Sequence, residues 1–379
     1  MGKALKTLLG LLVLLVVIWA VYQLSSTRPA KEETRLGSVK IGLIESRLDE
    51  ATATINQAVD MALSSDALTS NNAELVREDV ACDLGAFQQA LDRLASDEGL
   101  VFLLDVSCPN LEGKSFVAAT TSGLPVLTLF PVASDASSGF VFSAVPSAAS
   151  QNAFAARLAR ELGDERMVIL SSSFQEDLIG AFPELGGHVV GAETIETDAE
   201  DVRGDLATFE GTNPDVLVLS VDEAETFVAA LAQVAETDLL PIDILASKHL
   251  LPAEGLDEEA VRLETLFLFD LTLGTASFKT SFSTATGNEP GRYAVHAFDA
   301  VQVLSRVLAD QKNRSEGASR NAVAEFLKQV SFEGESGTIV FDEQGGVEGR
   351  YDIFFFEDGK LVQTSIRQVG PQTVSEDAE

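Results

Sequence analysis

Cysteine, histidine and tryptophan are scarce in this chain of 379 residues, which contains 2 Cys, 3 His and 1 Trp. Two cysteines are too few for a four-cysteine zinc site, and His188, His249 and His296 show neither an HExxH pattern nor any paired-ligand spacing. A nucleophile elbow and a phosphate-binding glycine loop are also absent from the sequence. The sequence therefore predicts a protein that is not an enzyme and that needs no cofactor and no metal.

Basic residues are scarce as well, with 26 Lys and Arg against 59 Asp and Glu, which gives a formal net charge of -33 at pH 7. No basic stripe is present that could neutralise phosphates, so we do not expect a nucleic-acid partner. Hydrophobic residues make up 46% of the chain, which at this length is enough for two buried cores. We therefore expect a protein of two lobes.

An apolar run covers residues 8–22 and follows Lys3 and Lys6. It is either a cleavable signal peptide or a retained transmembrane helix. Trp19 and Tyr22 at its far end suit a membrane interface, and the bulky side chains there do not suit a cleavage site, so the anchor is the favoured interpretation.

The N-terminal segment also predicts where the rest of the chain lies. Residues 1–24 form the membrane anchor or signal segment, and its lysines stay on the cytoplasmic side. Residues 25–38 are polar and charged, which is typical of a flexible linker. Everything beyond the linker is therefore expected to be extracytoplasmic, in the periplasm or at the cell surface.

Residues 167–221 have the pattern of a strand, a helix, a strand, a helix and a strand. Their β-rich runs are at 167–170, 188–195 and 216–221. Crossovers of this length give a parallel sheet with helices on its faces, and such sheets bind ligands at the carboxyl ends of their strands. The loops after Leu170 and Leu219 are therefore the first places to expect a site.

Two capping boxes in this part of the sequence predict where helices begin. Thr197 with Glu200, and Asp222 with Glu225, each place a hydroxyl or carboxylate acceptor three residues before a glutamate. We expect the second helix of the unit to start close to Thr197, and the following helix to be capped by Asp222.

The residues 182–221, with FPELGGHVVGAE followed by DVRGDLATFEGTNPDVLVLS, resemble the second lobe of the type I periplasmic binding proteins, in particular the branched-chain amino acid and amide binding group. Other segments are similar to the first strand, the late helix and the closing segment of that family: VKIGLI at 39–44, YAVHAFDAV at 293–301, and 332–342 followed by Asp358-Gly359-Lys360. The resemblance implies an α/β fold of two Rossmann-like lobes, each with a parallel sheet, joined by a multi-strand hinge and preceded by an N-terminal transmembrane helix.

The resemblance also implies how the chain is divided between the lobes. The first lobe is expected to comprise residues 39–145 and 271–330, and the second lobe residues 146–270 and 331–366. An acidic tail over residues 367–379 is expected to be disordered.

Cys82 and Cys108 lie just after two successive predicted strands. They form either a pair of reduced buried thiols or a disulfide, and export of the chain favours the disulfide. The surrounding VREDVACD and DVSCPN are similar to the family stretches DDACD and CSSS, whose cysteines pair, and this agrees with a bridge.

The loop at 131–135 is similar to the family's SPGAT loop, whose backbone and threonine hydroxyl hold a ligand carboxylate. The resemblance implies that Ala133 and Ser134 bind the ligand here, with Ser134 supplying the hydroxyl. The alternative is an ordinary loop in which Ser134 caps the turn.

Three further ligand-binding residues are implied in the second lobe. Phe174 stands at the position of a family tyrosine and keeps its aromatic wall without the hydroxyl. Lys248 lies near the family glutamate that pairs with a ligand ammonium group, and a cation there favours an anion, although Asp222 at a neighbouring strand end could compensate.

The function implied is capture of a small polar solute, an amino acid, an amide or a small anion, between two lobes for an ABC importer. The partners would be the solute, the permease subunits and the membrane. The alternative is an envelope protein that uses the same fold for protein contacts, as activators of cell-wall synthases do, with a degenerate ligand site.

Overall fold

The computed structural model describes residues 39–364 except 48, 65–72, 110, 112, 132–138, 238, 240–241, 252–264, 313–317 and 358–359. The predicted anchor, the linker, the acidic tail, Ala133 and Ser134 all lie outside the described residues. Within the described part, no helix combines the length and the apolar character that crossing a membrane requires.

The first lobe is built on a parallel sheet of five strands in the order β2-β1-β3-β4-β5. All six residues of the central strand β3 are buried, as expected for a parallel sheet covered on both faces. The strands are β1 (Val39–Glu45), β2 (Ala73–Asp79), β3 (Leu100–Asp105), β4 (Val126–Thr128) and β5 (Val141–Ser143).

Helices cover both faces of this sheet. Phe87, Leu91 and Leu94 form the buried side of one of them, and the Asp83 carboxylate caps its first turn by accepting a hydrogen bond from Ala86 N at 2.8 Å. The helices of this lobe that precede the first crossing are Ala53–Leu63, Leu84–Ser96 and Val117–Ser122.

The second lobe begins with five parallel strands, in the spatial order β10-β9-β8-β6-β7. Three of them confirm the runs predicted from the sequence. The strands are β6 (Arg166–Ser171), β7 (His188–Thr194), β8 (Val216–Ser220), β9 (Asp243–Ser247) and β10 (Leu266–Leu271). The helices are Ala148–Leu162, Glu176–Glu184, Arg203–Ala207 and Ala224–Val234.

Both predicted capping boxes are wrong. The helix expected near Thr197 begins only at Arg203, and the Thr197 carbonyl accepts a hydrogen bond from the Thr226 hydroxyl at 2.7 Å. The helix expected to be capped by Asp222 has Glu223 at its N-cap position, and no side chain caps it. In both cases the tertiary contacts outweigh the local capping pattern.

The chain then returns to the first lobe through the helices Ala276–Thr286, Ala294–Lys312 and Arg320–Leu327. The long helix packs against Ala53–Leu63, and its Val295 and Leu304 are completely buried in the first core. His296 is also buried there, and burial lowers its pKa to about 4.

Residues 331–347 were expected in the second lobe, but they pack on the first lobe. They form the antiparallel hairpin β11 (Ser331–Glu333) and β12 (Thr338–Val340), and Ile339, Phe341 and Val347 are buried in the first core. The buried carboxylate of Asp299 holds this hairpin, because it accepts hydrogen bonds from Glu335 N at 3.0 Å and from Ser336 N at 2.7 Å. The apolar residues thus find their burial on the first lobe.

Only the last two strands complete the second sheet. β13 (Tyr351–Glu357) pairs antiparallel with β10, and β14 (Lys360–Thr364) pairs antiparallel with β13. The chain therefore crosses between the lobes three times, after β5, after β10 and before β13. This is the multi-strand hinge that the sequence predicts.

Candidate functional site

A cavity of about 220 Å³ lies at the carboxyl ends of the second-lobe strands. Parallel sheets leave a crevice at this edge, because the loops that follow neighbouring strands diverge to the two faces. The helix Ala148–Leu162, the segment between β6 and the next helix, and the ends of β8, β9 and β10 line it. The polar lining residues include Gln151, Asn152, Ser173, Gln175, Ser220, Asp222, Ser247 and His249, and Phe269 is the aromatic member.

The rim contributed by the helices is held by hydrogen bonds. Asn152 Nδ2 donates to Gln175 Oε1 at 3.0 Å, and Gln175 Nε2 donates to Ser173 O at 3.1 Å and to Ser173 Oγ at 3.1 Å. The two helices Ala148–Leu162 and Glu176–Glu184 are thereby connected at the cavity. These hydrogen bonds hold the two amide side chains in fixed positions at the rim.

Asp222 is the one formally charged residue among the described residues that line this cavity. Its backbone N donates to Ser172 Oγ at 3.1 Å, which joins the ends of β8 and β6, and its carboxylate is exposed. A carboxylate in this position accepts hydrogen bonds and attracts an ammonium or amide donor.

His249 faces the same cavity from the turn after β9. Its Nδ1 is joined to Ser247 Oγ by a hydrogen bond of 2.5 Å. The protein surrounds most of the ring, and this burial, helped by the positive charge of Arg292 and opposed by Asp270, lowers its pKa to about 4. At neutral pH His249 is therefore an uncharged hydrogen-bonding group.

The structure separates the three described residues that the sequence assigned to the second-lobe site. Asp222 lines the cavity, and Phe174 lies between two lining residues with 71% of its surface exposed. Lys248 does not line the cavity, because its Nζ lies 4.5 Å from the centroid of the Phe354 ring on β13. The ligand-binding role of all three stays a prediction.

The reason for the position of Lys248 is local. After β9 the chain makes a 3-10 turn over Lys248–Leu250, so that successive side chains point in different directions. His249 is turned to the cavity and Lys248 to β13. The ammonium group of Lys248, which we expected to favour an anionic solute, therefore contacts an aromatic ring.

Several residues of the cavity were missed by the sequence analysis. His249 was noted only as one of three isolated histidines, and Asn152 and Gln175 were not considered at all. The sequence signal for Asn152 and Gln175 was their position close to the start of a helix, where that helix begins at the carboxyl edge of the sheet. That signal is weak, because most polar residues at helix starts serve only as caps.

The corresponding edge of the first lobe carries the disulfide and a charged network. Cys82 and Cys108 are bonded, with their Cα atoms 5.6 Å apart, which joins the loops after β2 and β3. Glu45, at the end of β1, is buried and lies 3.1 Å from Arg77 Nη1 and 3.0 Å from Arg47 Nε. Asp60 Oδ1 lies 2.7 Å from Arg47 Nη2, so that two carboxylates balance the two guanidinium groups within the lobe.

No group of three or more His, Cys, Asp or Glu residues that could hold a metal ion exists in the described part of the chain.

The family model of the periplasmic binding proteins matches residues 39–360, so the chain belongs to that family. It is a family of solute-binding proteins, and membership implies an extracytoplasmic location. A search of curated protein sequences finds no match.

Solved structures agree on the fold. A branched-chain amino acid ABC transporter protein of Rhodospirillum rubrum is 16% identical, with a TM-score of 0.68 over 86% of this chain and 100% of that one. A substrate-binding protein of Desulfitobacterium hafniense in complex with leucine is 16% identical, with a TM-score of 0.67 over 86% of this chain and 100% of that one. A solute-binding protein of R. palustris in complex with benzoate is 18% identical, with a TM-score of 0.57 over 88% of this chain and 97% of that one. At these identities the likeness shows the fold alone.

Proposed function

We propose that this protein captures a small polar solute between its two lobes and delivers it to an ABC importer. The observation that carries the proposal is the cavity at the carboxyl ends of the second-lobe strands, lined by the exposed carboxylate of Asp222 and by uncharged hydrogen-bonding groups. Proteins of the same fold were crystallised with leucine and with benzoate, so this fold accommodates both amino acids and aromatic acids.

The charge of the cavity determines the ranking of the candidate solutes. Asp222 favours a solute with an ammonium or amide donor, while His249, uncharged at neutral pH, adds no positive charge. Amino acids and amides therefore come first. Small anions come second, because Lys248 is stacked on Phe354.

Closure of the lobes completes the proposed site. Phe174, exposed at the cavity edge, would cover the apolar part of the solute, and Ala133 and Ser134 of the first lobe would supply the opposite wall. The three crossings between the lobes provide the hinge. The run at residues 8–22 would hold the protein at the membrane, next to the permease subunits.

The test is a thermal-shift screen of the chain without residues 1–24 against amino acids, amides and small anions. A solute at 100 times its dissociation constant should stabilise the protein by about 2.7 kcal/mol, and the shift should follow solute concentration. The variant Asp222→Asn should weaken binding of an ammonium or amide solute. Glu223→Gln is the matched control, since Glu223 is the exposed neighbour, does not line the cavity and caps nothing with its side chain.

A screen without any hit would contradict solute capture. It would favour the alternative in which the fold serves protein contacts in the envelope.

A further inference from the structure

A lysine and an aspartate of the first lobe form an ion pair that is completely buried. Lys114 Nζ lies 2.9 Å from Asp105 Oδ2, and both side chains have 0% exposure. The ammonium also donates to Ser107 O at 2.5 Å and lies 4.6 Å from the centroid of the Phe87 ring. Every donor direction of the ammonium thus meets an acceptor or an aromatic face.

The carboxylate of Asp105 is satisfied equally well. Its Oδ1 accepts hydrogen bonds from Ser107 N at 3.1 Å and Ser107 Oγ at 2.6 Å, and its Oδ2 accepts one from Thr128 Oγ1 at 2.8 Å. Thr128 Oγ1 in turn accepts a hydrogen bond from Phe130 N at 2.9 Å. One connected polar network therefore runs from Lys114 to Phe130.

This network ties together two loops at the carboxyl edge of the first sheet. Asp105 ends β3, and Ser107 and Lys114 lie in the segment that follows it. Thr128 ends β4, and Phe130 lies two residues beyond it. The disulfide holds the first of these loops at a second point, through Cys108. Both loops belong to the edge at which such sheets bind ligands.

A buried ion pair is a poor source of net stability, because removing two charges from water costs about as much as their attraction returns. Its well-supported use is to fix one arrangement of the groups around it. The pair and its hydrogen bonds connect the segments after β3 and β4, in addition to the backbone hydrogen bond from Leu129 N to Asp105 O. The position of the Lys114–Asp105 pair is therefore better suited to fixing the geometry of these segments than to stabilising the core.

We infer that Lys114 and Asp105 are positioning residues, which hold the described segments after β3 and β4 in the geometry with which the first lobe would contact a solute. This inference rests on the proposed function, since it concerns the carboxyl edge of the first-lobe sheet, the edge at which parallel sheets bind ligands. The pair touches no solute and acts through the two loops.

The test compares two double variants that each remove one Lys–Asp pair. Asp105→Asn with Lys114→Met removes the buried charges together, so that neither partner is left as an unpaired buried charge, and asparagine keeps the shape of the aspartate that it replaces. Lys40→Met with Asp97→Asn is the matched control, because that pair lies in the same lobe at the opposite edge of the sheet, 3.6 Å apart, with 36% and 38% exposure.

Two readouts are needed, and the first requires no solute. Hydrogen exchange followed by mass spectrometry reports on peptides that contain Val106, Ser107, Leu129 and Phe130, whose amides are hydrogen-bonded in this region. We expect exchange there to accelerate at least about tenfold in the buried-pair variant and to stay unchanged in the control. The second readout is the dissociation constant for the solute found by the screen, which should rise at least about tenfold in the buried-pair variant alone.

The outcomes separate this inference from the proposed function. Unchanged exchange in the two loops overturns the inference, whether or not a solute is found. Faster exchange with an unchanged dissociation constant also overturns it, because the loops would then not set the site. A wild-type protein that binds no solute contradicts the proposed function, and the exchange readout still decides whether the pair holds the loops. If the buried-pair variant does not fold, the single variant Thr128→Val, which removes one hydrogen bond of the network, replaces it with the same two readouts.

Discussion

Arg292 Nε lies 2.9 Å from Asp270 Oδ1, and this ion pair spans the second crossing between the lobes. Asp270 belongs to β10 of the second lobe, and Arg292 precedes the long helix Ala294–Lys312 of the first. Arg292 Nε is buried and makes no aligned hydrogen bond, so the contact is mainly electrostatic. The pair also acts on His249, whose pKa Arg292 lowers and Asp270 raises.

The first prediction concerns the charge of His249. In the wild type its pKa is lowered to about 4, first by burial and then by Arg292. Arg292→Met should raise this pKa, and Asp270→Asn should lower it further, because the two charges act on the imidazolium with opposite signs. NMR titration of the histidine ring signals checks both directions. An unchanged titration of His249 in either variant would contradict this assignment of the two charges.

The second prediction concerns the disulfide. Protein purified without reductant and then denatured should show no free thiol, because Cys82 and Cys108 are bonded and no free cysteine exists in the described residues. Replacing both cysteines by alanine should lower the free energy of unfolding by about 3 kcal/mol in the chain-entropy model. Urea denaturation of the two proteins measures this, and an unchanged midpoint would contradict it.

The third prediction concerns Asp164, at the base of the second lobe. Its Oδ2 is buried without a hydrogen-bond partner, and burial together with the charges of Asp243 and Asp215, opposed by Arg160, raises its pKa to about 8. A folded-state pKa above the unfolded value means that the folded protein binds the proton more tightly. The contribution of the protonated Asp164 carboxyl to the stability of the fold is therefore fully present below pH 4 and is lost as the pH rises toward 8.

The variant Asp164→Asn isolates this effect. It should be more stable than the wild type at about pH 8.5, by about 1.4 kcal/mol for each unit by which the wild-type pKa is raised, and this advantage should shrink as the pH falls. Asp201→Asn is a control for the removal of one negative charge, because Asp201 is exposed and its ion pair is with the exposed Arg203. A stability difference that does not depend on pH would contradict the assignment.

The fourth prediction concerns Gly345, in the turn after β12. Its φ is +83°, and a Cβ there would collide with the carbonyl oxygen of Val141, while its own carbonyl accepts a hydrogen bond from Ser143 N at 2.7 Å. Gly345→Ala should destabilise the protein by about 2 kcal/mol or more, because neither the backbone angle nor the space suits a side chain. Gly204→Ala is the control: it lies in a helix with open space around it and should be neutral or slightly stabilising.

The fifth prediction concerns the run at residues 8–22. Protein from native membranes should begin at or near Met1 and should resist extraction by high salt, since a retained apolar helix holds a protein far more firmly than charge does. Removal of residues 1–24 should release the protein into the soluble fraction. A mature N-terminus near Val21 would show that the segment is a cleaved signal peptide.

Much of the fold could be predicted because it depends on patterns that are local. The strands at 166–171, 188–194 and 216–220 coincide closely with three short apolar runs, and the buried faces of their helices follow helical spacing. The pairing of Cys82 with Cys108 could be expected because each cysteine follows a strand of the same parallel sheet. The start of the helix at Arg203 could not be predicted, because the segment from Thr197 is held by a contact with Thr226, which is far away in sequence.

The candidate site was less predictable than the fold. The position of Asp222 at the cavity could be predicted because it lies just beyond the end of a strand, and the crevice of a parallel sheet lies at that end. Lys248 and His249 are neighbours in sequence, and only the 3-10 turn decides which of them faces the cavity. The buried pair of Lys114 and Asp105 left no sequence signal that distinguishes it from a surface pair.

The sequence by itself determined the two-lobed α/β fold, the excess of negative charge and the apolar N-terminal run, because hydrophobic spacing and composition act over short stretches of chain. Only the tertiary structure decided that residues 331–347 pack on the first lobe, that Lys248 is stacked on Phe354 and that Lys114 is buried against Asp105. Each of these depends on which surfaces meet when distant segments pack. The position of a side chain depends on the segment against which it packs or with which it forms an ion pair. That segment is often distant in sequence, so the local pattern does not specify it.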